Sequence, residues 1–112
     1  MSGSSEADYE ARAYPELSAL VRALDALDRE DFEAELAHDI LSLEFPDGTK
    51  FIINSHRAAR QIWMAAERSA WHFDWNEAQG RWIAAKTGDE LWATLARVLG
   101  QKLGTSVELN KG

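Results

Sequence analysis

The chain has 112 residues and no cysteine, enough for one hydrophobic core but not two, and it excludes disulfides, thiolate metal sites and a cysteine nucleophile. Twelve Lys and Arg against 19 Asp and Glu leave a net charge of −7. That sign argues against nucleic acid or anionic lipid as partner, and favours cations or a protein with a basic patch. Residues 1–8 are Ser-rich and acidic and are expected to be disordered. They resemble neither a signal peptide nor an Arg-rich transit peptide. With no apolar run near the roughly 20 residues of a membrane span, the expectation is a cytoplasmic protein with no membrane contact.

The first helix is read from Leu17, Leu20, Val21, Leu24 and Leu27, which share one face at i, i+3, i+4, i+7 spacing. Pro15 suits a first turn, so the regular helix is expected to start around it, with a kinked helical stretch at 9–14 as an alternative. The apolar period then changes to two. Phe32, Ala34 and Leu36 alternate with Asp31, Glu33 and Glu35, and Leu41, Leu43 and Phe45 alternate with Ser42 and Glu44. Both patterns are half-buried strands. The turn residues Pro46-Asp47-Gly48-Thr49 lead into a third strand, Lys50 to Asn54, followed by a loop containing His56 and Arg57. Gln61 to Ala65, Trp71 to Trp75 and Arg81 to Ala84 supply three more. Thr87-Gly88-Asp89-Glu90 matches a capping box for a last helix with the stripe Leu91, Trp92, Leu95, Val98 and Leu99, ending near Gly104. The fold class is therefore α+β, with two helices on one face of a five- to six-stranded antiparallel sheet whose other face meets water.

Three sets of residues carry chemistry. Asp25, Asp28, Glu30, Asp31, Glu33 and Glu35 gather where the first helix meets the first strand. Like charges repel, so the array is either a solvated edge that discourages aggregation or a weak site for a hard cation. On the open face, Asn54, Gln61, Trp63, His72 and Asp74 have the composition of a recognition surface. A register inverted by one would instead put Trp63 in the core. His72 with Asp74, or His56 with a carboxylate, could form an acid–base pair, but no motif places a nucleophile or a phosphate loop, and no catalytic residue is assigned.

Taken in order, Phe45-Pro46-Asp47-Gly48, Ile52-Ile53-Asn54, Gln61-Ile62-Trp63-Met64-Ala65, His72-Phe73-Asp74 and Trp82 resemble the frataxin family, in its bacterial CyaY branch. The resemblance runs from about Leu17 to Leu103. It implies one frataxin-like domain over residues 1–112, with weakly bound iron (Fe²⁺ or Fe³⁺) at the acidic ridge. It also implies docking on the cysteine desulfurase and the scaffold protein of iron–sulfur cluster assembly, with Asn54, Gln61 and Trp63 facing outward to partners, and a monomer in the absence of iron. Arg22 and Arg29 interrupt the acidic run that the family carries on its helix. A small ferroxidase-type enzyme and a metal-independent acidic adaptor are the alternatives.

Overall fold

A computed structural model describes residues 6–110 in the order α1 (Glu6–Ala26), β1 (Glu33–Ala37), β2 (Ile40–Glu44), β3 (Lys50–His56), β4 (Gln61–Ala66), β5 (Ser69–Asn76), β6 (Arg81–Ala84) and α2 (Leu91–Leu103). The expectation of disorder at the N-terminus lies outside the described residues for 1–5, and from Glu6 the chain is helical. The six strands form one antiparallel meander in sequence order.

The register explains which face is buried. Leu41 pairs with Ile53, and Ile53 with Met64. Ile62 pairs with Phe73, and Phe73 with Ala84. Every one of these is buried, and all belong to one cluster with Leu17, Leu20 and Leu24 of α1 and Leu91, Leu95 and Leu99 of α2. Both helices therefore cover the same face, and the residues between the buried ones line the open face. Trp82 and Trp92 lie in this core, as their patterns require.

Three boundaries differ from the sequence expectations. First, α1 runs through Pro15; its ring sits on the exposed side while Tyr9, Ala13, Leu17 and Leu20 bury continuously beneath it, so packing carries the helix past the lost hydrogen bond. Second, the residue capping α2 is Glu90, not Thr87: its carboxylate accepts the amides of Trp92 (3.0 Å) and Ala93 (2.9 Å). A bridge from Glu90 to Ile83 and the positive φ of Gly88 hold residues 87–90 off the helical path. Third, β3 continues to His56, so His56 is a strand residue paired with Gln61 rather than a loop residue.

One long-range bond ties α1 to the sheet and another ties the two helices together. Tyr9 donates its phenol hydrogen to the Gln61 carbonyl (2.7 Å) with the Ser55 hydroxyl at 2.6 Å, and burial raises its pKa above the ordinary tyrosine value. The indole of Trp92 donates to the buried carboxylate of Glu16, joining α2 to α1.

Candidate functional site

The acidic edge forms where α1 ends and the outermost strand begins. Asp25 is exposed on the last turn of α1, Asp28 follows in the connection with φ of 54°, and Glu30 is exposed beyond it. Asp31 is not a strand residue, contrary to the alternation Asp31–Glu33–Glu35. Phe32 is buried before β1 begins, which mimics the strand period, while Asp31 is held in the connection by Arg29. That guanidinium donates to both Asp31 oxygens (3.0 and 2.6 Å) and holds the carboxyl below the usual aspartate range. Glu33 and Glu35 stand exposed on β1, on the open side of the sheet. Across the hairpin Glu33 faces Glu44, which in turn faces Lys50. Glu44 thus joins the edge, and with Glu30 and Glu33 it lines a shallow cleft floored by Phe32 and Phe45. Among the described residues, no three acidic or histidine side chains gather closely enough to hold one ion together. The edge offers hard oxygen ligands, but spread along a surface, which suits weak and exchangeable cation contacts rather than a chelating site.

The open face has a denser centre. Asn54, Trp63 and His72 lie in one row across β3, β4 and β5. Trp63 is half-buried, in the outward register, and its indole is sandwiched. The His56 ring stacks on one side at 3.8 Å with 16° between planes, and the His72 ring on the other at 4.1 Å and 12°. The Trp63 indole N–H donates to the Gln61 side-chain oxygen (2.8 Å), and Gln61 donates onward to Asp74 (3.0 Å). Gln61, Trp63, His72 and Asp74 thus form one connected block, with Asn54 beside it. His72 and Asp74 share no hydrogen bond among the described residues, so the acid–base pair considered from their spacing is not made. Beyond Asn54 in the same row, the side chain of Ile40 is 45% exposed.

The frataxin-like domain family matches residues 2–105. The chain belongs to the frataxin family. Curated relatives place it on the CyaY branch. One, the iron-sulfur cluster assembly protein CyaY of Paraburkholderia phymatum, is 36% identical over 105 residues, covering 94% of this chain and 97% of that one. Another, of the same name from Ralstonia nicotianae, is 35% identical with 94% of each covered. Frataxin from Psychromonas ingrahamii superposes with a TM-score of 0.65 at 26% identity, over 84% of this chain and 97% of that one. Trimeric frataxin from the yeast Saccharomyces cerevisiae, solved in a ferrous complex, gives 0.67 at 26% identity, over 94% and 91%.

Two roles at the site escaped the sequence: that of Glu44 at the acidic edge, and that of His56 as a strand residue stacked on Trp63. Glu44 was readable in principle: a two-residue turn at His38-Asp39 fixes the hairpin register and sets Glu33 opposite Glu44. His56 was hidden because the apolar alternation stops at Ile53 while the hydrogen-bonded ladder runs on. Of the predicted edge, Glu33 and Glu35 share the sheet's open side, whereas Asp25, Asp28, Glu30 and Asp31 precede the strand. Among the described residues, no helix is long and apolar enough to cross a membrane.

Proposed function

We propose that this protein serves iron–sulfur cluster assembly, docking on the cysteine desulfurase and the scaffold and carrying iron as a weakly held cargo. One observation supports this reading above the others. Glu33 and Glu35 point to the same side of the sheet as Trp63, since Glu35, Ser42, Ile52 and Ala65 form one row across four strands. An acidic strip and an aromatic centre on one continuous face allow a partner with a basic patch to be steered by charge and then held by the centre. The names of the curated relatives assign those proteins to cluster assembly, and the yeast relative was solved with ferrous. Iron fits the donor set here: exposed carboxylate oxygens are hard ligands, and Asp25, Asp28, Glu30, Glu33, Glu35 and Glu44 would share it.

The test is binding to the desulfurase at low ionic strength. The wild type binds, and Glu33→Lys with Glu35→Lys weakens binding by at least about tenfold, an effect that added salt reproduces in the wild type. Undiminished binding by the double variant overturns the reading. The scattered carboxylates also favour a second reading, an acidic adaptor with no metal role. Titration of Fe²⁺ followed by NMR separates the two: shifts confined to residues 25–44 support iron carriage, and none supports the adaptor.

A further inference from the structure

The docking face proposed above is almost without charge at its centre. Asn54, Gln61, Trp63 and Ala65 are neutral, and the formal charges lie outside them, at Lys50 and Glu44 toward one end and at Asp74 and Arg81 toward the other. Apart from Asp74, which accepts from Gln61 at the margin of the block, the titratable groups beside Trp63 are the two imidazoles that clasp it. Histidine is the side chain whose charge ordinarily changes between about pH 5 and 8.

The two are not equivalent. His56 ends β3, and its Nδ1 accepts the amide hydrogen of Ala59 at 3.3 Å. That bond ties the ring to the turn that follows β3 and fixes its position. His72 is exposed on β5, and among the described residues its ring makes no hydrogen bond; its contact is the indole face. A cation over an indole is attracted by the ring quadrupole, so a proton on His72 draws it onto Trp63. Charges of both signs lie around the pair. Asp74 lies two residues along the same face of β5. Lys86 shares a surface cleft with His72. On the other side, Arg57 follows His56 but is paired with Glu10 of α1 at 2.9 Å, and Asp39 of the β1–β2 turn lies near the end of β3, its carbonyl bound by the Ser55 amide.

We propose that His72 is a proton switch on the docking face, with His56 as the fixed jaw of the clasp. A proton on His72 adds one positive charge to the three-ring block. The inference rests on the reading that this face meets a partner. A partner chosen by charge to match an acidic protein carries a basic patch. A cation at the centre then adds repulsion and must be desolvated on docking, so binding weakens as the pH falls.

The free protein tests the switch without any partner. The indole N–H signal of Trp63, assigned with Trp63→Phe, is followed by NMR from about pH 8 to about pH 5 beside the His72 ring signals. The expected result is one midpoint shared by Trp63 and His72, and loss of the Trp63 movement in His72→Gln while His56 keeps its own titration. A Trp63 signal that stays still while His72 titrates, or that moves unchanged in His72→Gln, overturns the switch. The docking consequence is read as the ratio of dissociation constants for the desulfurase near pH 6 and near pH 8. The wild-type ratio exceeds that of His72→Gln by about tenfold; equal ratios overturn it. Absence of binding at both values refutes the function reading and the docking consequence with it, while the free-protein titration still decides the switch.

Discussion

Glu33 and Glu44 sit directly opposite each other on neighbouring strands of one hairpin, two like charges in register. Such a pair destabilises by a few tenths to about 1 kcal/mol. Glu44 also faces Lys50, so Glu33 is the member whose removal relieves repulsion without breaking an attractive neighbour. Glu33→Gln is therefore expected to raise stability by about 0.2–1 kcal/mol in urea unfolding while weakening Fe²⁺ binding. A less stable variant contradicts the assignment of the pair as repulsive.

Trp63 and Trp82 separate surface from core. Trp82 is 1% exposed, and Trp82→Ala should cost about 3–5 kcal/mol. Trp63 stacks on two imidazoles, and at roughly 0.5–1.5 kcal/mol per ring pair its loss should cost about 1–3 kcal/mol. Denaturant midpoints of the two variants check the order. A Trp63→Ala loss at or above that of Trp82→Ala would remove the indole from the partner surface.

Gly100 lies inside α2, where alanine is ordinarily better by about 1 kcal/mol. Here a Cβ would stand 2.7 Å from the Thr105 carbonyl oxygen, because the chain turns back after Gly104 and lays Val107 and Leu109 against the core. Gly100→Ala is expected to destabilise the full chain, yet to stabilise a chain ended at Gly104 by about 1 kcal/mol. The same sign in both backgrounds, read from thermal unfolding, would mean that the tail does not press on the helix.

Lys102 near the end of α2 donates to Asp47 in the β2–β3 turn at 2.7 Å and to Thr49 at 3.2 Å. The ammonium, with the Thr49 amide, holds the Asp47 carboxyl well below the usual aspartate range. A carboxyl depressed in the folded state contributes stability that is complete above the unfolded value, near 3.9, and is lost as pH falls below it. Both groups meet solvent, so the contribution is small. Asp47→Asn should lower the thermal midpoint at neutral pH and lower it by clearly less at about pH 2; equal shifts at both values would exclude the ion pair as the cause.

The fold was legible because its signals are local: the change of apolar period from 3.6 to 2 after Leu27, the Pro-Asp-Gly turn, and the alternation around Ile62 and Phe73. The errors fall where tertiary packing overrides a local rule. Pro15 sits inside a helix because the face beneath it buries. Buried Phe32 imitates a strand position and drew Asp31 into β1. The aromatic block was only half visible, since His56, Trp63 and His72 come from three strands and meet only through cross-strand register.

The central claim is that the acidic edge of this frataxin engages the cluster-assembly machinery. Its most direct test is the rate of cluster formation in a reconstituted mixture of desulfurase, scaffold, Fe²⁺ and a thiol source. The wild-type protein should change that rate, and Glu33→Lys with Glu35→Lys should leave it at the value seen with no added protein. A wild type without effect, or a double variant as effective as the wild type, would contradict the claim.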